Sequence, residues 1–255
     1  MSIPHAPAGR RDPEAFRSTD GFAQEVFFIR SGADRIYGTC FSSPSPRDVP
    51  GVVVCSSWGF ESYRLRDGCH TLARRVAQRG GAAIVFDWVG HGDSSGEPEE
   101  ATPQRLVEVA ADVIEHGRRL VPALDWGFAG FRVGACVAAI AAVETGASSQ
   151  LLIQPSLDPA AHFAEITKAM RRATLGQAGG DQLWAFGSPL PDLATWDVGA
   201  LDAAGALRSF AGRSAVVRFS QPATAGPPDN VEEVVVDGAW RTGLTGAARR
   251  DLVPL

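Results

Sequence analysis

No stretch of this chain approaches the roughly 18 uninterrupted apolar residues that a membrane-crossing helix needs. Residues 1–20 are rich in Pro, Arg and Ala and contain no apolar core of a secretory leader. The expectation is a soluble, unexported protein with no membrane partner. Cysteine is sparse: Cys40, Cys55, Cys69 and Cys136 show no C-x-x-C spacing. Two of them, Cys55 and Cys136, sit in apolar runs where a reduced thiol acts as a small hydrophobe. This points to a reducing cytoplasm. Blocks of like charge are also missing. The net charge is only -5 and the two signs are interspersed, which leaves no electrostatic footprint for nucleic acid. No His/Cys/Asp group has ligand spacing, so neither a metal nor another cofactor is expected. Repeats and low-complexity tracts are absent.

What is present is enough apolar material for one large core: 255 residues, 45% of them hydrophobic. Residues 1–20 are too polar and too broken by Pro and Gly to pack, and read as a flexible arm. A single domain is expected over 21–255. Residues 24–30 (QEVFFIR) and 34–41 (DRIYGTCF) form an opening hairpin about Ser31 and Gly32. The run 51–56 (GVVVCS) is continuous and centred on three β-branched valines, the pattern of a strand buried on both faces. Strand and helix then alternate: helix from about 68 to 80, strand 82–86, helix 103–120, strand 126–130, helix 135–144, strand 150–154. Two further strands lie at 214–220 and 231–236. Strict alternation implies right-handed crossovers and a doubly wound, mostly parallel sheet. Residues 157–210 lack strand signals and hold two helical patches, at 160–174 and 202–210. They are read as a small helical cap inserted above the sheet.

Ligands of such sheets bind beyond the carboxyl ends of the strands. There the strongest local signal is Gly130-Phe131-Arg132-Val133-Gly134, between a strand and an Ala-rich helix. The spacing matches the nucleophile elbow G-x-S-x-G, whose small flanking residues permit a sharp turn that projects the middle side chain. The fold expected is therefore an α/β-hydrolase fold with arginine in the place of serine. A guanidinium stays protonated and cannot attack an acyl carbon. The acid and histidine that should follow the elbow are missing too: the segment 221–230 offers only Asp229, and Trp240 stands near the histidine's place. The one later histidine, His162, falls in the cap. The segment Asp87-Trp88-Val89-Gly90-His91-Gly92-Asp93-Ser94 matches D-x-x-G-x-G-x-S, where structural turn work competes with a His91–Asp87 base pair.

The residues from about 51 to 240 resemble the α/β-hydrolase-like proteins associated with exosortase systems, of the second type, distant relatives of serine aminopeptidases. The resemblance rests on Trp58-Gly59-Phe60-Glu61 with Arg64 and Arg66, on Asp87 to Gly96, and on Gly130 to Ala135. Gln154-Pro155 and Gly238-Ala239-Trp240 extend it. Ser57-Trp58 departs from the usual Pro-Phe, and Ala239 from phenylalanine.

Glu61 and Arg132 are placed by this fold at neighbouring strand ends. A bidentate ion pair there would either hold the loop or, with the helix N-terminus behind it, clamp a substrate carboxylate or phosphate. Arg132 and Glu61 are the candidate catalytic residues. Trp58, Gly59, Phe131, Val133, Gln154 and Trp240 are the candidate substrate-binding set, and His91, Asp87 and His162 are weaker candidates. Arg64 and Arg66 read as solvated helix residues. The expected partner is an anionic or acylated small molecule, with a homodimer left open. Two functions follow: a non-standard enzyme (hydrolase, acyl-transfer or lyase type) on an acylated or carboxylated metabolite, or a pseudohydrolase that binds a ligand or protein without turnover.

Overall fold

The computed structural model describes residues 21–45, 47, 49–156, 184–185, 188–189, 197–219 and 231–236. The proposed arm (1–20) and most of the proposed cap lie outside them, as do His162, Asp229 and Trp240.

Eight strands form one sheet. They are β1 (Ala23–Ser31), β2 (Asp34–Ser42), β3 (Gly51–Cys55), β4 (Ala82–Phe86), β5 (Trp126–Phe131) and β6 (Ser149–Ile153), joined after a small two-stranded ladder by β9 (Arg213–Phe219) and β10 (Glu232–Val236). The ladder is β7 (Trp184–Ala185) and β8 (Ser188–Pro189). The sheet order is β1-β2-β4-β3-β5-β6-β9-β10. Only β2 runs antiparallel to its neighbours; the other pairings are parallel. The first hairpin turns on Gly32 and Ala33, since Ser31 pairs with Asp34. The turn is thus one residue later than the sequence suggests, and Gly32 supplies its positive φ of 57°.

Strand alternation divides the core into two layers. Val53, Ile84, Phe128, Leu152 and Val216 face a layer made by α2 (Pro103–Leu120), α3 (Val133–Glu144) and α4 (Ala203–Ser209). Val54, Val85, Ile153 and Val217 face α1 (Phe60–Gln78) on the opposite side. Covering both faces is what permits near-continuous apolar strands. α3 is buried almost all round, and its alanines let it lie close to the sheet. α2 starts where Thr102 Oγ1 accepts the Arg105 amide at 3.2 Å and Pro103 occupies the first turn. Arg105 then reaches the first hairpin, donating to Ser31 Oγ and pairing with Asp34 at 2.9 Å.

α1 begins at Phe60, eight residues before the expected start. Its opening turns carry Glu61, Arg64, Arg66 and Asp67, and only Leu65 is buried among residues 61–67, so apolar periodicity is invisible there. The second helical patch of the proposed cap is α4, whose Leu207 is fully buried with α3 in the main core.

Candidate functional site

β5 passes into α3 through a single residue, Arg132, whose backbone lies at φ 54°, ψ -115°. A residue with a side chain is strained there. The turn closes because its flanks have no side chains. A Cβ on Gly130 would lie 2.4 Å from Ala135 Cα, and one on Gly134 would lie 2.0 Å from the Ser56 carbonyl oxygen. The Arg132 amide donates to Ile153 O at 3.0 Å, and its carbonyl accepts from Ala135 at 3.1 Å. Arg132 is therefore fixed at the carboxyl end of the central strand, with the first amides of α3 and their positive potential beside it.

Facing it is the loop after β3. Glu61, in the first turn of α1, puts Oε1 3.5 Å from Arg132 Nε. This is an ion pair made side-on through Nε, not the expected two short bonds through the guanidinium fork. Glu61 Oε2 accepts a 2.8 Å bond from the fully buried Ser57 hydroxyl. Sequence reasoning missed Ser57, although its spacing of four from Glu61 was available. The loop is tied to β4 by Trp88, whose indole N–H donates to Ser56 O at 3.2 Å.

The other expected site residues divide by location. Gly59 precedes α1 at φ 67° and borders an open cavity. Trp58, Phe131 and Val133 are at most 2% exposed and pack in the core rather than face an open site. Gln154 braces the sheet edge: its Oε1 accepts the Phe219 amide at 2.9 Å and its own amide donates to Val217 O. Asp87 Oδ2 accepts the Asp93 amide at 3.1 Å, and the Asp87 carbonyl accepts Ser94 Oγ at 2.7 Å. His91 Nδ1 donates to Val89 O at 2.9 Å, and its ring meets Trp58 edge to face. The structure thus puts Asp87 into turn formation and brings no contact between it and the His91 ring among the described residues.

Arg132 has no lone pair to offer an acyl carbon. Cys136, one turn further on, cannot replace it. Burial pushes its thiol up to about 12, against the lowering effects of a bond to Ser156 O and of Arg132, so it is a thiol rather than a thiolate. Among the described residues no group of three His, Cys, Asp or Glu side chains could hold a metal ion. No described helix is long and apolar enough to cross a membrane. What the arrangement offers is a guanidinium, helix amides and a carboxylate converging at one strand end.

An eight-stranded sheet with only its second strand reversed, flanked by helices and carrying a glycine-bounded elbow after the central strand, defines the α/β-hydrolase fold. Solved structures agree. Est1E from Butyrivibrio proteoclasticus with bound ferulic acid superposes with a TM-score of 0.61 at 18% identity, over 89% of this chain and 98% of the other. An alpha-beta serine hydrolase homologue from Coxiella burnetii gives 0.58 at 16% identity, over 89% and 93%. The thioesterase domain from the curacin biosynthetic pathway gives 0.53 at 16% identity, over 90% and 98%. No protein-family model and no curated protein sequence matches the chain.

Proposed function

We propose that this protein is a non-standard enzyme on a hydrolase scaffold, acting on a small acylated or carboxylated metabolite. Arg132 receives the anionic oxygen of the substrate, helix amides complete its stabilisation, and Glu61 serves as base. The observation that carries this reading is the backbone of Arg132. A long cationic side chain is held in a strained conformation at the focal point of the fold, with a carboxylate 3.5 Å away, and strain of this kind concentrates at functional positions. The ferulic acid held by Est1E is an aromatic carboxylic acid, the ligand class extended here to this chain. The exosortase-associated resemblance supports a biosynthetic setting. Four free, buried cysteines fit the reducing cytoplasm expected from their spacing.

A second reading, a ligand-binding pseudohydrolase, is favoured by one feature. The last of the five histidines is His162, so none follows the strands after which a triad histidine would stand. Native mass spectrometry of the purified protein beside Arg132→Gln tests the common element of both. A small acid retained by the parent and lost from the variant is expected. Equal retention by the two, or none by either across a panel of acyl and carboxylate metabolites, removes Arg132 as the anion receptor. Turnover of the retained compound then separates enzyme from binder.

A further inference from the structure

A cavity of about 270 Å³ opens between α1 and the loop that follows β4. At about 30 Å³ per water it has room for on the order of ten heavy atoms. Neither Arg132 nor Glu61 is in its wall. The loop 56–59 stands between: Ser56 borders the cavity, while its carbonyl oxygen packs against Gly134 of the elbow.

The wall is apolar at Phe86 and Trp88, and it carries two opposite charges that do not pair with each other. Arg66 comes from the exposed flank of α1, and no carboxylate of a described residue lies within salt-bridge distance of it. Asp87 comes from the end of β4; its Oδ2 takes the Asp93 amide, and Oδ1 has no donor among the described residues. His70 lies in the same wall and senses both groups, Arg66 lowering and Asp87 raising its pKa. Burial is the largest influence on His70 and, with Arg74 and Arg66, holds it below the ordinary histidine value despite Asp67 and Asp87. The ring is thus neutral at pH 7 and leaves the cavity with one cation and one anion. The other titratable groups there are Tyr63, Cys69, whose thiol burial pushes up to about 12, and His91, held through Nδ1 by Val89.

We propose that this cavity is a binding site, separate from the elbow, for a small amphoteric molecule of amino-acid size. Its carboxylate meets Arg66, its ammonium meets Asp87, and an apolar side chain lies against Phe86 and Trp88. A guanidinium recognises a carboxylate through two parallel bonds, and a carboxylate with an open oxygen accepts readily from an ammonium. A molecule carrying both charges satisfies the two unpaired groups at once. One carrying a single charge leaves the other group unmet.

Binding to the full chain of L-leucine and L-phenylalanine, of 3-phenylpropionate, which lacks the ammonium, and of phenethylamine, which lacks the carboxylate, tests this. Calorimetry gives affinity, and the His70 ring resonance reports occupancy. The amino acids are expected to bind at least about tenfold more tightly than either single-charge analogue, the effect of one charge-assisted contact. Arg66→Gln should cost the amino acids and the acid about tenfold and spare the amine. Asp87→Asn should do the converse. Because Asp87 also shapes its turn, the exposed Arg66 carries the decision if that variant fails to fold. Arg132→Gln should leave every affinity unchanged. The proposal is overturned by no binding up to about 10 mM, a range weaker than any ordinary metabolite site. Equal affinity for acid and amino acid, or indifference to Arg66→Gln, also overturns it. Loss of binding in Arg132→Gln would return the ligand to the elbow.

Discussion

Arg132 Nε lies 3.5 Å from Glu61 Oε1, across the gap between the β5–α3 turn and the first turn of α1. The two side chains are 18% and 24% exposed, so solvent screens the pair only in part. Ser57 fixes the carboxylate from the other side. The pair therefore joins two segments that are 71 residues apart (132 - 61 = 71).

The first prediction concerns that coupling. Glu61→Gln and Arg132→Met should each destabilise by roughly 1–3 kcal/mol, below the cost at a fully buried pair because of partial exposure. The double variant should cost less than the sum, with an interaction of at least about 0.5 kcal/mol. Chemical denaturation of all four proteins measures it, and simple additivity would show that the contact carries no energy.

The elbow glycines should be far less replaceable than a glycine with space around it. Gly134→Ala drives a Cβ into the backbone of Ser56, and Gly130→Ala drives one into Ala135. Each should cost on the order of 3 kcal/mol or displace Arg132. Gly146, at φ +58° with nothing within 4 Å of a Cβ, should cost only about 1 kcal/mol as alanine. Similar losses at all three positions would contradict the packing account.

Strain at Arg132 can be isolated by comparing Arg132→Gly with Arg132→Ala in a Glu61→Gln background, where the ion pair is already gone. Glycine tolerates φ 54° and ψ -115°, so it should be the more stable by about 1–2 kcal/mol. If alanine equals glycine in thermal unfolding, the turn stores no strain.

A fluorophosphonate probe should leave the native protein unlabelled. Ser57 is fully buried, and Ser94 Oγ is engaged by the Asp87 carbonyl and the Tyr37 amide. Arg132→Ser alone should not create an esterase, because no histidine follows β9 or β10 in the sequence. A gain of ~10³ in p-nitrophenyl ester turnover, the scale a positioned base supplies, would reveal a hidden triad.

Acid should weaken the fold through His116. Its ring lies 4.4 Å from that of Phe27, and Nε2 is buried with no hydrogen-bond partner among the described residues. Burial, with Arg119, holds its pKa below the ordinary 6.5. The unfolded chain then takes up the proton first, so stability is full above about pH 6.5 and falls as pH drops through that value toward the folded pKa. His116→Gln should flatten the stability profile between about pH 7 and pH 5, although His70, shifted in the same direction, retains part of the slope. An unchanged profile would remove His116 from the account.

The sequence alone determined what local chemistry dictates. Short apolar runs such as Gly51–Cys55 and Ala82–Phe86 became the buried strands, and the spacing of Gly130, Arg132 and Gly134 set the elbow, because a turn that tight depends on adjacent residues. The opening turns of α1 were not legible, since their charged face has no apolar period. Tertiary structure decided which groups meet. Glu61 reaches Arg132 only because β3 and β5 lie side by side in register, Cys55 opposite Gly130, which carries the loops after both strands to one edge. The same assembly turned Gln154 and Asp87, polar residues at strand ends and so ligand candidates by type, into braces for Phe219 and Asp93. It also set Arg66 of α1 and Asp87 of the β4 end in one cavity. Side-chain partners across a sheet follow from strand order and register, which no local pattern encodes.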